Sequence, residues 1–271
     1  MSGPGVGIGW RPEIAEFVGG LPGLTFTEVI AESLHHPDPR LLALRDRGVR
    51  VVPHGVRLSL GGAEPVDPGR IAHLAHCAEL VRAPLVSEHV AFVRAGGLEA
   101  GHLLPVPRSR DSLDALVRNV KATTAELGVP LALEPIAALF DWPDDEFGEG
   151  EFLTELVDRT GALLLLDVAN VYANARNRGH DPVRVLESFP LDRVAYCHVA
   201  GGRESEGLYH DTHTDPVPAE VLALVAEAER RCPPEGRLGH LLERDGRYPP
   251  PSVLAAELDA IADAAGLSRI T

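Results

Sequence analysis

Several short apolar runs of this chain end in, or are closely followed by, side chains of the types that bind metal ions. Six runs do so, and together they carry four histidines, four carboxylates and one amide. The nine residues are His54, His89, Glu134, Asp167, Asn170, His198, Asp211, His213 and Glu243. Mixed imidazole and carboxylate donors suit iron, manganese, cobalt or zinc, and donor type alone does not choose among them. The recurrence of such residues predicts a metal site.

The size of this set argues for more than one ion. Carboxylates that are buried together are costly, because desolvation and like charge both disfavour their ionised forms, and cations remove that cost. Histidine adds neutral nitrogen donors. One ion with open positions uses about three or four protein ligands, so nine donors fit two or three ions with bridging carboxylates. The set contains no cysteine, which argues against a structural zinc site with thiolate ligands.

Each residue taken alone also has a structural explanation. A histidine at the end of a strand is often a hydrogen-bonded structural group. Asp167 could cap a helix that follows its strand, and Glu134, which precedes Pro135, could be satisfied by backbone amides. Asp211 and His213 could stabilise a loop. Only the complete set favours the metal interpretation.

The elements that must position these side chains are eight short runs rich in Val, Ile and Leu, typical of strands buried on both faces. They span residues 5–10, 24–30, 49–56, 84–91, 130–136, 162–168, 193–200 and 239–244. Helical patterns lie between most of them, at 38–47, 68–81, 109–127, 150–159, 181–188, 216–230 and 251–264. Eight strand–helix units predict an α/β fold, a (β/α)8 barrel in a single domain over residues 1–271. The nine side chains would converge at the carboxyl ends of its strands, where such barrels carry out their chemistry.

Two long loops are predicted above the barrel, at residues 137–150 and 201–216. Arg203 and Tyr209 lie in the second loop, where each could touch a substrate or be solvated. Cys197 immediately precedes His198, so strand alternation directs it away from the ligand face and into the core. Structural or supporting roles are expected for the other histidines, which are His35, His36, His73, His76, His102, His180, His210 and His240.

The bulk composition limits the classes of function. A formal net charge of −15 disfavours a nucleic-acid partner, which selects for a basic surface. No stretch approaches the roughly 18–20 apolar residues of a membrane span, and the N-terminus shows no signal-peptide pattern. The three scattered cysteines predict neither a disulfide framework nor a paired-cysteine metal site, so a reducing cytoplasm is the expected location.

The segments that carry these residues also resemble a known family. HGVRLSL, VSEH, HLLPVP, LLLLDVANVY, HVAGG, DTHTDPVP and LLERD match, in order, the motifs of the multinuclear non-haem iron-dependent oxidative enzymes, formerly domain of unknown function 692. The match runs from GVGIGW to LLERD, nearly the whole chain. No single segment is specific, but their combined order is.

This resemblance implies a TIM barrel of the xylose-isomerase-like kind that holds two or three irons as Fe(II) and Fe(III), with the nine residues above as ligands. It also implies an oxidoreductase that uses dioxygen as a co-substrate to modify a ribosomally made peptide, often at cysteine. Members often work with a separate protein or domain that grips the peptide. Because the eight barrel units account for the length of this chain, we expect a separate partner protein or a substrate whose own fold is recognised.

Two departures from the family pattern affect the expected substrate contacts. Glu134 is followed by Pro135 and Ile136 where an Asn-Pro type sequence is expected, and Ala169 replaces an asparagine in the commoner DVNN sequence. The ligand position Asn170 is retained. These changes weaken the transfer of any one specific reaction from the family to this chain.

Two other functions fit the same residues. The first is a metal-dependent isomerase or hydrolase of the xylose-isomerase or endonuclease type, which uses similar ligands. A sugar isomerase usually also needs a lysine near the metals, whereas the only lysine here, Lys121, lies in a predicted helix. The second is a non-enzymatic metal-binding or scaffolding protein, against which the complete ligand set argues.

Overall fold

A computed structural model describes residues 4–235 and 237–271. Residues 1–3, which belong to the predicted single domain and to the N-terminus without a signal peptide, lie outside the described residues, as does residue 236.

Eight parallel strands close into a barrel, which confirms the predicted fold. The strands of the described residues are β1 (Gly5–Gly9), β2 (Phe26–Ile30), β3 (Arg50–Gly55), β4 (Val86–His89), β5 (Ala91–Ala95), β6 (Leu98–Pro105), β7 (Leu131–Glu134), β8 (Leu163–Asp167), β9 (Val194–Val199), β10 (Arg203–Ser205), β11 (Leu208–His210) and β12 (Gly239–Leu242). The barrel order is β1-β12-β9-β8-β7-β4-β3-β2, and β1 pairs with both β12 and β2 to close it. All eight predicted strand segments coincide with barrel strands.

An outer layer of helices surrounds the barrel. The α-helices are α1 (Ala15–Gly20), α2 (Pro39–Asp46), α3 (Pro68–Val81), α4 (Arg110–Glu126), α5 (Glu149–Thr160), α6 (Val168–Arg178), α7 (Pro182–Glu187), α8 (Ala219–Arg231) and α9 (Pro251–Ala265). No helix of the described residues is long and apolar enough to cross a membrane. The seven predicted helical segments are present, with ends shifted by up to three residues.

Local sequence signals explain where several helices begin. Asp67 accepts hydrogen bonds from the backbone amides of Gly69 and Arg70, and Pro68 occupies the first helical position of α3. Ser109 caps α4 in the same way through the amide of Ser112. Each such cap stabilises a helix by roughly 0.5–2 kcal/mol.

Two helices and two β-hairpins of the described residues escaped the sequence-based prediction. Helices α1 and α6 have no predicted counterpart; α6 follows β8 without a loop, so the segment LLLLDVANV looks like one continuous apolar strand. The hairpin of β5 and β6 follows β4 almost directly. The segment 201–216, predicted as a loop, contains the short hairpin of β10 and β11. The segment between β7 and α5 has no strand or helix, as predicted.

The barrel interior explains why five of the nine side chains converge. Inside it, one buried apolar cluster contains Phe26, Val52, Ala132, Leu165, Tyr196 and Leu241, each from a different strand. Side chains on a strand alternate between faces, so the residue two positions further on also points inward, one layer higher. For five of these strands that residue is His54, Glu134, Asp167, His198 or Glu243. The sixth, β2, contributes Glu28.

The outward-facing residues of the strands pack under the helices. These residues and the helices form a second buried apolar cluster. Cys197 is fully buried in it, which confirms that its side chain faces away from the predicted site. Cys77 and Cys232 are buried as well, and all three cysteines are free thiols.

Candidate metal centre

The candidate ligands form three adjoining groups at the carboxyl ends of the barrel strands. Within each group, the donor atoms lie within 4.8 Å of one another. We call them lobe one (His54, His89, Glu134), lobe two (Glu134, Asp167, His198, Glu243) and lobe three (Asp167, Asp211, His213). Glu134 belongs to lobes one and two, and Asp167 belongs to lobes two and three. These two carboxylates link the three sites in a row, and a fourth group, formed by His213, Glu243 and Asp245, also joins lobe three to lobe two.

Glu134 offers a different oxygen to each of its two lobes. Its Oε2 lies 3.3 Å from Nε2 of His89 and 3.5 Å from Nε2 of His54. Its Oε1 lies 3.3 Å from Nδ1 of His198, which is also 2.8 Å from Oε2 of Glu243. The pair His198–Glu243 is close but lacks hydrogen-bond geometry, since neither atom has a hydrogen-bond partner among the described residues.

Several buried polar atoms of the lobes, and one of the neighbouring Asn170, have no hydrogen-bond partner in the described part of the chain. Among the described residues they include Glu134 Oε2, Asp167 Oδ2, Asn170 Oδ1, His198 Nδ1, Asp211 Oδ1 and Glu243 Oε2. A buried polar atom without a partner is costly and rare in folded proteins, and it calls for a water or an ion. The donor types, oxygen and imidazole nitrogen without thiolate, fit iron and similar ions. The residues present therefore fit a metal cluster.

Asp167 both caps a helix and faces the lobes. Its Oδ1 accepts hydrogen bonds from the backbone amides of Ala169 (2.7 Å) and Asn170 (3.2 Å), which begins α6. Its Oδ2 has no such partner and lies 3.9 Å from Nε2 of His213. The helix-cap explanation and the ligand explanation thus apply to different oxygens of one carboxylate.

In the metal-free site, the buried carboxylates differ in how well neighbouring positive charges compensate them. Burial favours the neutral form of Glu134, but the charges of His198 and His89 outweigh it and lower its pKa to about 2. Burial, followed by the charges of Asp211 and Glu134, raises the pKa of Asp167 to about 8. Asp167 is thus the carboxylate for which the protein alone provides least compensation.

The histidines of the lobes are drawn toward their charged form by these same carboxylates. Burial disfavours a charged His89, yet Glu134 and Glu88 outweigh it and raise its pKa to about 9. The pKa of His198 is raised well above its usual value by Glu243 and other carboxylates, again against the effect of burial. In the metal-free protein, protons on these histidines therefore compensate the negative charge of the carboxylates. Bound cations would take over this role.

The buried carboxylate of Glu28, on β2, contacts the ring nitrogen of His198 that does not face lobe two. Oε2 of Glu28 lies 2.8 Å from Nε2 of His198 and accepts a hydrogen bond of 2.5 Å from the Tyr196 hydroxyl. The same hydroxyl lies 2.7 Å from Ser87 Oγ, which lies 2.8 Å from Nδ1 of His54. Sequence analysis missed Glu28, although a charged residue inside the apolar run LTFTEVI was a usable signal.

His213 is held by a second supporting pair that was not predicted. Its Nε2 faces Asp211 at 2.5 Å, while its Nδ1 lies 3.2 Å from Oδ2 of Asp245. The backbone amide of Asp245 also donates to the carbonyl of His213, which has a φ of 53°. Arg11, which follows β1, donates to the other oxygen of Asp245 at 2.7 Å. Arg11 and Asp245 meet only in the closed barrel, so their sequence separation concealed the pair.

Asn170 lies in the first turn of α6 and joins that helix to the segment after β7. Its Nδ2 donates to the carbonyl of Pro135, while its Oδ1 is buried without a partner. Asn174 makes a parallel contact, since its Nδ2 donates to the carbonyl of Ile136. Ala169 is fully buried in the apolar core, so this departure from the family pattern does not lie on the exposed side of α6.

The remaining candidates have structural contacts. Tyr209 is buried, its hydroxyl accepts from the amide of Gly202, and its backbone pairs with the side chain of Asn177. Arg203 is exposed. His73 contacts the carbonyl of Ala31, and the remaining histidines outside the lobes do not belong to the three groups.

Comparison with known proteins identifies the family. Residues 5–266 match the profile of the family described as RiPP precursor modification enzyme MbnB/TglH/ChrH. The chain belongs to this family. The resemblance stated from the sequence motifs is thereby confirmed, and the match covers all three lobes.

Two relatives of this chain differ in length. A UPF0276 protein from Streptomyces avermitilis is 54% identical over 268 residues, which are 95% of this chain but 54% of the relative. The chain therefore spans about half the length of that protein. A UPF0276 protein from Anaeromyxobacter sp. is 35% identical over 271 residues, which cover 96% of this chain and 95% of the relative.

Solved structures with the same fold are more distant. A xylose isomerase domain protein from Planctomyces limnophilus aligns with a TM-score of 0.63 and 15% identity, over 96% of each chain. Endonuclease IV from Thermus thermophilus aligns with a TM-score of 0.58 and 18% identity, over 96% of this chain and 98% of the other. These similarities confirm the xylose-isomerase-like barrel and concern the fold alone.

Proposed function

We propose that this protein is a multinuclear non-haem iron enzyme that uses dioxygen to modify a peptide substrate, at a cysteine residue. The observation that carries the proposal is the chain of three lobes, in which buried donor atoms lack partners and two carboxylates are shared. Membership of a RiPP precursor modification family supports a peptide substrate. The proposed ligands are His54, His89, Glu134, Asp167, Asn170, His198, Asp211, His213 and Glu243.

Iron bound in the lobes would supply the dioxygen activation and the thiolate binding that protein side chains cannot provide. The side chains have three tasks: holding the ions, compensating charge and excluding water. Glu134 and Asp167 would each hold two ions at a fixed separation. Burial of lobes one and two favours a dry site, where electrostatic interactions are stronger than in water.

The partly exposed lobe is the proposed entry point for the substrate. His213 and Asp211 are less buried than the residues of lobes one and two, and they come from the segment after the β10–β11 hairpin. With Asn170 they would hold the most weakly bound ion. An ion with few protein ligands and an open side is the one that a substrate group reaches most directly.

We also propose that a separate protein or domain grips the peptide, and that the enzyme works in a reducing compartment. The three free, buried cysteines agree with such a compartment. Tight binding of a minimal peptide without any partner would contradict the first part of this proposal.

The isomerase or hydrolase alternative gains no support beyond the fold. Lys121 is exposed on α4, in the outer helical layer, and not among the lobes. The xylose isomerase and endonuclease neighbours are below 20% identical, so their reactions do not transfer to this chain.

The decisive experiment uses iron-reconstituted protein and a short Cys-containing peptide encoded beside its gene. We expect oxygen uptake and a change in peptide mass, and neither with the matched Cys→Ser peptide. Undiminished turnover without oxygen would refute the proposed oxidative chemistry, and turnover of the Cys→Ser peptide would refute the cysteine assignment.

A further inference from the structure

A continuous chain of buried hydrogen bonds connects the ligand imidazoles of lobes one and two. From His54 Nδ1 it runs 2.8 Å to Ser87 Oγ, 2.7 Å to Tyr196 OH and 2.5 Å to Glu28 Oε2. From the same Oε2 it runs 2.8 Å to His198 Nε2. All five side chains are at most 1% exposed, so bulk water does not compete for these contacts.

The donor and acceptor roles along this chain of hydrogen bonds follow from Glu28. An ionised carboxylate only accepts hydrogen bonds, so both Tyr196 and His198 must donate to Glu28. The Tyr196 oxygen is then free to accept from Ser87. Ser87, having given its proton to Tyr196, accepts from His54.

Once bound cations replace the extra protons of the metal-free site, this direction leaves the metal-facing nitrogen of each imidazole without a proton. In His54 the proton lies on Nδ1, so the lone pair of Nε2 faces Glu134 in lobe one. In His198 the proton lies on Nε2, so the lone pair of Nδ1 faces Glu134 and Glu243 in lobe two. A metal ligand must present such a lone pair, and the hydrogen bond on the other nitrogen selects which one it is.

We propose that Glu28 is a positioning residue that fixes the tautomers of His54 and His198 together, and so prepares two metal lobes with one carboxylate. This inference rests on the proposed metal binding. Burying an acid inside the barrel is costly unless it is paired. Glu28 contacts His198 directly, and it reaches His54 through Tyr196 and Ser87. Glu28 acts through the histidines and is not itself in any of the donor groups.

Single substitutions can distinguish the hydrogen bonds that serve only His54 from those that serve both histidines. Tyr196 and Ser87 serve only His54, while Glu28 serves both imidazoles. Tyr196→Phe or Ser87→Ala should therefore weaken lobe one alone. Glu28→Ala should weaken iron binding in lobes one and two, because it removes the acceptor oxygen that Tyr196 and His198 share.

The test is an anaerobic titration of metal-free protein with Fe(II) against a competing chelator. His89→Ala marks the equivalent that belongs to lobe one, and Tyr172→Phe is the control for loss of a buried tyrosine hydroxyl outside the chain. We expect Tyr196→Phe and Ser87→Ala to weaken that same equivalent by about 10–100-fold, with no further loss when combined with His89→Ala. Tyr172→Phe should match the wild type.

Nitrogen NMR of the imidazole rings provides a readout that does not depend on iron. We expect wild-type His54 to carry its proton on Nδ1, and Tyr196→Phe and Ser87→Ala to lose this preference. The inference is overturned if His54 carries its proton on Nε2, or if both variants bind iron as the wild type does. Wild-type protein with the expected His54 tautomer but no iron binding would overturn the proposed function and leave the assignment of the tautomer intact.

Discussion

Glu134 and Asp167 lie in the same group of four donors, and each also belongs to a neighbouring group. One carboxylate therefore joins lobe one to lobe two, and the other joins lobe two to lobe three. Such sharing distinguishes a cluster from three unrelated sites, and it makes the lobes depend on one another. The first prediction follows from this dependence.

Glu134→Gln should weaken lobes one and two at once. The amide retains one acceptor oxygen but loses the charge that both lobes share, so the loss of iron affinity should exceed the roughly 10–100-fold typical of an outer-shell change. Metal analysis after desalting measures it, and Glu146→Gln on the exposed loop is the control. Loss confined to one equivalent would show that Glu134 does not bridge.

Asp245→Ala should weaken lobe three alone. Asp245 holds Nδ1 of His213, so its removal frees the ring, and we expect a loss of about 10–100-fold in the affinity of the most weakly bound iron. Chelator competition measures it. Loss from lobe one, which His89→Ala identifies, would contradict the assignment.

Arg11→Ala separates a positioning Asp245 from a ligating one. His213, Glu243 and Asp245 form a further donor group, so Asp245 is itself close enough to be a ligand. The ion pair with Arg11 favours positioning, because it directs one oxygen of Asp245 away from His213. We therefore expect Arg11→Ala to weaken iron binding at lobe three. Stronger binding in this variant would identify Asp245 as a ligand.

Iron removal should lower the thermal stability of the fold. Iron at about 100 times its Kd stabilises the folded state by about 2.7 kcal/mol for one site. This corresponds to roughly 5–10 °C in Tm for a chain of this size. Calorimetry with and without a chelator measures the shift, and Glu134→Gln should reduce it. An equal Tm for both forms would contradict iron binding in the buried lobes.

The loop above the barrel should be stabilised by charge above acidic pH. Hydrogen bonds from Arg178 and Arg108 lower the pKa of Asp141 to about 2. A lowered folded-state pKa means that the contribution is complete above the unfolded value near 3.8 and is lost as pH falls toward 2. Asp141→Asn should therefore cost about 0–1 kcal/mol at pH 7, since the pair is partly exposed, and progressively less as the pH falls through the folded-state pKa of about 2.

Urea unfolding at several pH values checks this prediction. Asp144 is exposed in the same loop and forms no ion pair among the described residues, so Asp144→Asn is the matched control. A pH-independent difference between wild type and Asp141→Asn would contradict the role of charge.

The barrel was predictable because its strands are buried on both faces and each gives a continuous apolar run. The positions of His54, Glu134 and His198 followed, since strand ends of a parallel barrel meet at one face. Helix α6 was not predictable in this way, because Asp167 ends the strand and caps the helix with no turn residue between them.

The supporting residues were harder to predict than the lobes. Glu28 contacts His198 across 170 positions of sequence, and Arg11 contacts Asp245 across 234. The first contact crosses the barrel interior from β2 to β9, and the second forms because β1 lies next to β12 in the closed barrel. A single sequence indicates which residues are polar and inward, but it does not pair them.

The most direct test of the account is the iron content of wild-type protein, reconstituted anaerobically with Fe(II), desalted and analysed by elemental mass spectrometry. The linked lobes predict two or three irons per chain, with a loss in Glu134→Gln that spans lobes one and two. One iron per chain or none, in protein that remains folded, would contradict the multinuclear centre.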